Sequence, residues 1–340
     1  MNINKKLLDW YDKNKRILPW RKKSKIDCKD PYLVWVSEIM LQQTTVKTVV
    51  PYFNRFIKKY PNIYILANSS IEEVLELWAG LGYYARARNL HKCAKIITKE
   101  YSGVFPNNTK ELIKLPGIGE YTSSAIVSIA FNKVAFAIDV NIKRIVLRLL
   151  NNHQLSKKEI SNFIKEAIHE ERPGDFTESL MDLGAQICKV RSPKCEICPL
   201  NKNCNTFKYD INSLILKSIS KKEKPKKYGM CLIIKRVSDG SIFFIRMPQE
   251  GLYGGMLSLP LSNLVNNKKH LEKENFIDKW EFKKFNDEIF HTFSHFKLSL
   301  TIYYKEVKSF NEIKGNWENI NIARPQLPSL MKKVVDRFIV

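Results

Sequence analysis

The 340 residues carry 57 Lys and Arg against 34 Asp and Glu, a formal charge of +23, which makes a polyanion the first partner to consider. A Lys-rich composition also raises the charge of ordinary proteins, so this term alone supports nucleic acid only weakly. With 44% hydrophobic and 27% charged residues the chain is globular and long enough for about two domains. No apolar run reaches the ~18 residues of a membrane span, and no signal-peptide core opens it, so the sequence reads as cytoplasmic with no membrane partner.

From Met1 to about Asn205 the pattern is helical. Ser70 with Glu73 makes a capping-box signature ahead of "VLELW", and Asn108 with Glu111 a similar start ahead of "LIKL". Apolar residues recur at three and four along "TSSAIVSIA" and "NIKRIVLRLL". The stretch "LKSISKKEKPKKY", residues 216 to 228, is densely charged and reads as a linker. Beyond it the period becomes two. "MCLIIKR" and "SIFFIRM" flank the turn signal Ser238-Asp239-Gly240, "FKLSLTIYY" alternates further on, and "SLMKKVVDRF" closes the chain as a helix. The expectation is an all-α half followed by a small α+β domain, with no internal repeat.

Three features carry chemistry. In "LPGIGEYTSSAI", Gly117 and Gly119 form a tight turn before a helix, where bare N–H groups and the helix dipole suit one DNA phosphate. An ordinary helix–turn–helix connection reads equally well from "PGIG" alone. Glu38 is the only charge between Asp30 and Lys47, and Asp139 the only one between Lys133 and Lys143. Buried unpaired acids are unfavourable unless protonated, hydrogen-bonded or reactive. Asp139 can be explained as a helix cap acting with Asn141, whereas Glu38, in mid-helix, caps nothing. Two carboxylates in unequal surroundings are what cleavage of a glycosidic bond requires: one acid to protonate the leaving group, one anion at the oxocarbenium centre.

The third feature is "CKVRSPKCEICPLNKNC". Its Cys188, Cys195, Cys198 and Cys204 have six, two and five residues between them, a spacing that an iron–sulfur cluster fits better than zinc, which favours two short paired hooks. Its expected role is structural, ordering a loop that carries Lys189, Arg191 and Lys194 toward DNA phosphates. Cys28, Cys93 and Cys231 stand alone and read as small buried hydrophobes.

Together, "LPWR", "WVSEIMLQQT", "GLGYYARARNLH", "LPGIGEYT", "IDVNIKR", "ESLMDLGAQIC" and the cysteine spacing resemble the helix-hairpin-helix DNA glycosylases with an iron–sulfur loop, and within them the adenine-removing branch. The resemblance covers nearly the whole chain. It implies a helical glycosylase domain over residues 1–207 with a 4Fe-4S cluster loop at 188–204. A linker would span 208–227, and a Nudix-like 8-oxoguanine recognition domain 228–340. Glu38 would then be the general acid, Asp139 the stabiliser of the sugar cation, and Tyr121 and Asn141 would line the same site. Glu178 and Arg21 would bind substrate, and Gln43 and Tyr83 would enter the base stack, with plain packing as their alternative. Phe293, Ser294 and His295 of "HTFSHFKLSL" would contact the oxidised base.

Related glycosylase-lyases carry a lysine where Tyr121 stands. A phenol cannot form a Schiff base, so the resemblance implies a monofunctional enzyme on double-stranded DNA containing an adenine mispair, acting as a monomer. Two departures stand out: Val140 replaces a Gly usual in the family, and "GLYGGMLSLP" lacks a Trp often found there. The Nudix hydrolase box is absent, so nucleotide hydrolysis by the second domain is not expected. The rival readings are a bifunctional glycosylase-lyase acting on oxidised pyrimidines and a non-catalytic iron–sulfur DNA-binding protein.

Overall fold

The computed structural model describes residues 3–21, 29–210, 223–248, 251–271 and 275–339. Cys28 and residues 216–222 of the charged stretch lie outside them. The chain forms two compact units, residues 1–69 with 89–219 and residues 70–88 with 220–340.

The helices, in chain order, are α1 (Ile3–Asn14), α2 (Pro31–Leu41), α3 (Val46–Lys59), α4 (Ile63–Asn68), α5 (Ile71–Trp78), α6 (Ala85–Glu100), α7 (Thr109–Leu112), α8 (Glu120–Phe131), α9 (Val140–Leu150), α10 (Lys157–Ala167), α11 (Pro173–Gln186) and α12 (Asn205–Tyr209). Side-chain caps fix many of the starts. Asp30 accepts from Tyr32 N ahead of Pro31, and Ser70 and Glu73 form the reciprocal box the sequence indicates. Asn108 accepts from Glu111 N.

In the first unit α2 and α8 are apolar on nearly every side and therefore sit inside, α8 lying against both α2 and α11. A second layer joins Leu7 and Leu8 of α1, Ile145 and Leu149 of α9, and Phe176 and Leu183 of α11 in one core. Each such side chain contributes roughly 1.5–3 kcal/mol on burial.

The second unit is built on β1 (Lys226–Arg236), β2 (Ile242–Arg246), β3 (Leu257–Ser258), β4 (Lys283–Thr292), β5 (Lys297–Val307) and β6 (Asn316–Glu318), with α13 (Asn275–Lys279), α14 (Ile320–Ala323) and α15 (Ser329–Phe338). The strand order is β3-β2-β1-β5-β4, with β6 paired to β2. β1 and β2 turn through Ser238-Asp239-Gly240: Gly240 takes φ +70 and donates to Arg236 O at 2.9 Å. β1 pairs in parallel with β5, from Lys226 with Lys297 to Arg236 with Val307. Central placement explains why "MCLII" is apolar without alternation. Both isolated thiols in the described residues, Cys93 and Cys231, are fully buried.

Candidate active site

Glu38 lies in the third turn of α2, where only 6% of its surface is exposed. The hydroxyl of Tyr121, from the first turn of α8, hydrogen-bonds its carboxyl. Burial pushes Glu38 up to about 7; the Tyr121 bond opposes this, the charges of Asp139 and Glu178 add to it, and Arg21 subtracts. Tyr121 is held well above the ordinary phenol range by burial and by Glu38 and Asp139, so it remains a neutral donor. Glu38 thus feels the charge of Asp139, and Tyr121, bonded to Glu38, feels the charge of both.

Asp139 is the N-cap of α9. Its Oδ1 accepts from Asn141 N at 2.9 Å and Ile142 N at 2.7 Å, and its Oδ2 from Asn141 Nδ2 at 2.7 Å. Three donors thus fix the carboxyl in place. Asn141 is held in turn by Arg144, whose Nη2 lies 2.9 Å from Asn141 Oδ1 and 2.8 Å from Gly184 O. A side chain at Gly184 would meet Asn141 Cβ at 2.6 Å, so the glycine permits this approach of α9 to α11.

Glu178, on α11, is buried in a group of cations. Tyr11 donates to its Oε2 at 2.6 Å, Lys29 at 2.5 Å, and Arg21 Nε lies 3.1 Å from Oε1. Arg21 also forks onto Asp182 at 2.7 and 2.9 Å, and Arg16 Nε reaches the same carboxylate at 2.6 Å. Burial works against the charge on Arg21, but Asp182 and Glu178 outweigh it. Between this network and Glu38 lies a cavity of about 40 Å³, lined by Trp20, Arg21, Glu38, Ile129, Glu178 and Met181. That is room for a water, not for a purine. Tyr11, Arg16, Lys29 and Asp182 carry no signal of their own in the sequence; only the "LPWR" and "ESLMDLG" blocks point at their neighbours.

The hairpin runs from α7 to α8. Gly117 takes φ +78, and a Cβ there would meet Asn89 Cβ at 2.9 Å. Gly119 is the N-cap of α8 without a side-chain cap bond, and a Cβ there would meet nothing within 4 Å. Gln43, just past α2, is exposed and left-handed at φ +57.

In the second unit Tyr83 is 39% exposed, also left-handed at φ +51, in a turn braced by Trp78 Nε1 and Arg86 Nη2 on Gly82 O. Phe293, Ser294 and His295 form the tip between β4 and β5. Phe293 N closes it on Phe296 O at 2.8 Å, and Ser294 and His295 are exposed.

The cysteines lie on the loop that follows α11 and runs into α12. Burial raises Cys195, Cys198 and Cys204, Cys198 up to about 12, and all three feel the charge of Cys188. Thiolates there therefore need positive charge beside them. Donors to sulfur are in place: Arg148 Nη1 lies 3.3 Å from Cys188 Sγ, Leu200 N–H serves Cys198, and Thr206 and Phe207 N–H serve Cys204. Among the described residues no three His, Cys, Asp or Glu converge as ligands of a single ion do. The fit to an iron–sulfur cluster rests on the N–H···S donors and the shared field of the thiols. Lys189, Arg191 and Lys194 on this loop are exposed.

Residues 36–170 match the HhH-GPD superfamily base excision DNA repair protein model, residues 188–204 the iron–sulfur binding domain of endonuclease III, and residues 229–337 the NUDIX domain. The helical unit is thus that of a base-excision DNA repair protein with an iron–sulfur loop, followed by a Nudix-like domain. The chain is 36% identical to the adenine DNA glycosylase of Buchnera aphidicola subsp. Baizongia pistaciae (strain Bp), over 98% of this chain and 95% of that one. It is 30% identical to the adenine DNA glycosylase of Homo sapiens, over 87% of this chain and 65% of that one. Among solved structures it is similar to a thermostable thymine-DNA glycosylase, with a TM-score of 0.55 at 29% identity, over 60% of this chain and 94% of that one. The chain belongs to the adenine DNA glycosylase family.

Proposed function

We propose that this chain removes adenine mispaired with 8-oxoguanine or guanine from double-stranded DNA, by flipping the base and hydrolysing its N-glycosyl bond without cutting the strand. The observation that carries this is Glu38: a carboxyl raised to about 7, in contact with a phenol and in the field of Asp139. Near neutral pH it can hold a proton and release it. Glu38 protonates a ring nitrogen of adenine, the C1′–N9 electrons leave with the base, and the Asp139 anion stabilises the positive charge at C1′. Water then adds to C1′, and the proton it releases returns to the acid pair. Asn141 fixes Asp139, while Glu178 and Arg21 bind the flipped base. Gln43 and Tyr83 fill the stack, and Gly117 and Gly119 hold a phosphate. Unstacking costs a few kcal/mol and less at a mispair, which favours the mismatched site before any contact is made.

The functional division follows residues 1–207, 208–227 and 228–340, with Phe293, Ser294 and His295 reading the base opposite adenine. When bound, the iron–sulfur cluster ties the 188–204 loop together, and that loop's Lys189, Arg191 and Lys194 meet phosphates. The protein acts as a monomer on chromosomal DNA in the cytoplasm. Single-turnover adenine release from a duplex with adenine opposite 8-oxoguanine tests the reading: release by the natural chain, and its loss with retained DNA affinity in Glu38→Gln. Normal turnover by that variant sinks the assignment. A strong borohydride-trapped adduct favours a lyase instead.

A further inference from the structure

Tyr253 occupies an unfavourable position in the second unit. It takes φ +60 without being glycine, only 6% of it is exposed, and its hydroxyl is buried with no hydrogen-bond partner among the described residues. The surrounding loop enforces this. Gly251 and Gly255 supply φ +89 and +72, Met256 N donates to Tyr253 O at 2.9 Å, and Arg88 Nη1 holds Gly254 O.

What the position achieves is a bridge between rings. The Tyr253 centroid lies 6.1 Å from Tyr84 at 67° and 6.0 Å from Phe293 at 52°, both favourable aromatic geometries. Tyr84 adjoins Tyr83, and its hydroxyl accepts from Gly80 N at 3.3 Å, closing the turn on which Tyr83 stands out. On the other side Phe293 packs 4.6 Å from Phe296, which packs 4.7 Å from His295. An unbroken aromatic path therefore runs from the Tyr83 turn to the 293–295 tip.

We infer that Tyr253 is a positioning residue that holds the Tyr83 turn and the 293–295 tip in register, so that stack entry by Tyr83 and reading of the opposite base act as one event. This rests on the roles proposed above for Tyr83 and Phe293.

The test is single-turnover adenine removal by the full cluster-bearing chain, on duplexes with adenine opposite 8-oxoguanine and opposite guanine. Tyr253→Ala lowers the preference for 8-oxoguanine about tenfold, while the rate opposite guanine stays within about twofold. Tyr253→Phe and Tyr253→Trp restore it. Tyr253→Leu, which keeps bulk and guards against a misfolded alanine variant, behaves like alanine. In the natural background Tyr83→Ala and Phe293→Ala combine non-additively by about fivefold or more; in Tyr253→Ala they become additive. Full preference in Tyr253→Leu, or additivity in the natural background, overturns the inference. An unchanged preference in Phe293→Ala alone instead overturns the reading of the tip on which it stands.

Discussion

Arg144 donates through Nε to the carbonyl oxygen of Cys188 at 2.9 Å. The same guanidinium reaches Asn141 and Gly184, so one side chain joins the capped start of α9 to the first cysteine of the loop. Arg144→Gln cannot span these partners and takes the guanidinium donor from the buried Gly184 carbonyl. Charged hydrogen bonds contribute ~1.5–3 kcal/mol each, so a loss of about 3 kcal/mol in urea unfolding is expected, with adenine removal falling more than DNA affinity. Equal falls in both would mean that Asn141 does not need this support.

Glu38 makes a pH-dependent penalty. Its value in the folded chain lies above the 4.5 of a free carboxyl, so the native state prefers the proton. The stability it allows is complete below about pH 4.5 and declines as pH rises through about 7, by roughly 3 kcal/mol. Glu38→Gln carries no such term. Its thermal midpoint should exceed that of the natural chain at pH 8 and match it at pH 4.5; parallel curves would show that the acid is not desolvated.

Tyr121→Phe removes the donor that holds Glu38 down. The alkaline limb of the single-turnover rate, near pH 7 for the natural chain, should therefore move to higher pH in the variant. A downward move would assign the limb to another group.

Gly117 and Gly119 separate fold from binding. Gly117→Ala places a Cβ against Asn89 at φ +78 and should lower the thermal midpoint. Gly119→Ala meets no neighbour, so the fold should hold while affinity falls alike on matched and mismatched duplexes, with a salt slope shallower by about one. Unaltered affinity would remove the hairpin from the DNA interface.

Glu38 was legible because a lone charge in an apolar helix has few explanations, and Asp139 because its neighbours are equally greasy. The β1–β2 turn and the closing helix were legible from local signals alone. Lys29, Asp182 and Tyr11 were not. They stand in mixed, polar surroundings where nothing distinguishes a solvated side chain from a buried one; Tyr11 reaches Glu178 because α1 packs on α11, and Lys29 comes to the same carboxylate from just ahead of α2. The parallel pairing of β1 with β5, some 70 residues apart, and the gathering of residues 70–88 with the C-terminal unit are likewise decided by packing rather than period. Tyr253 was not legible, because backbone strain has no sequence signature outside glycine.

Because Asp139 both starts α9 and carries the charge, an alanine there would fray a helix end and delete an anion in the same stroke, and the two injuries could not be told apart. Asparagine divides them. It accepts the same two main-chain N–H groups yet bears no charge, so a protein with Asn at 139 should be an intact, DNA-competent but chemically silent scaffold, suited to capturing the extruded adenine before its bond breaks.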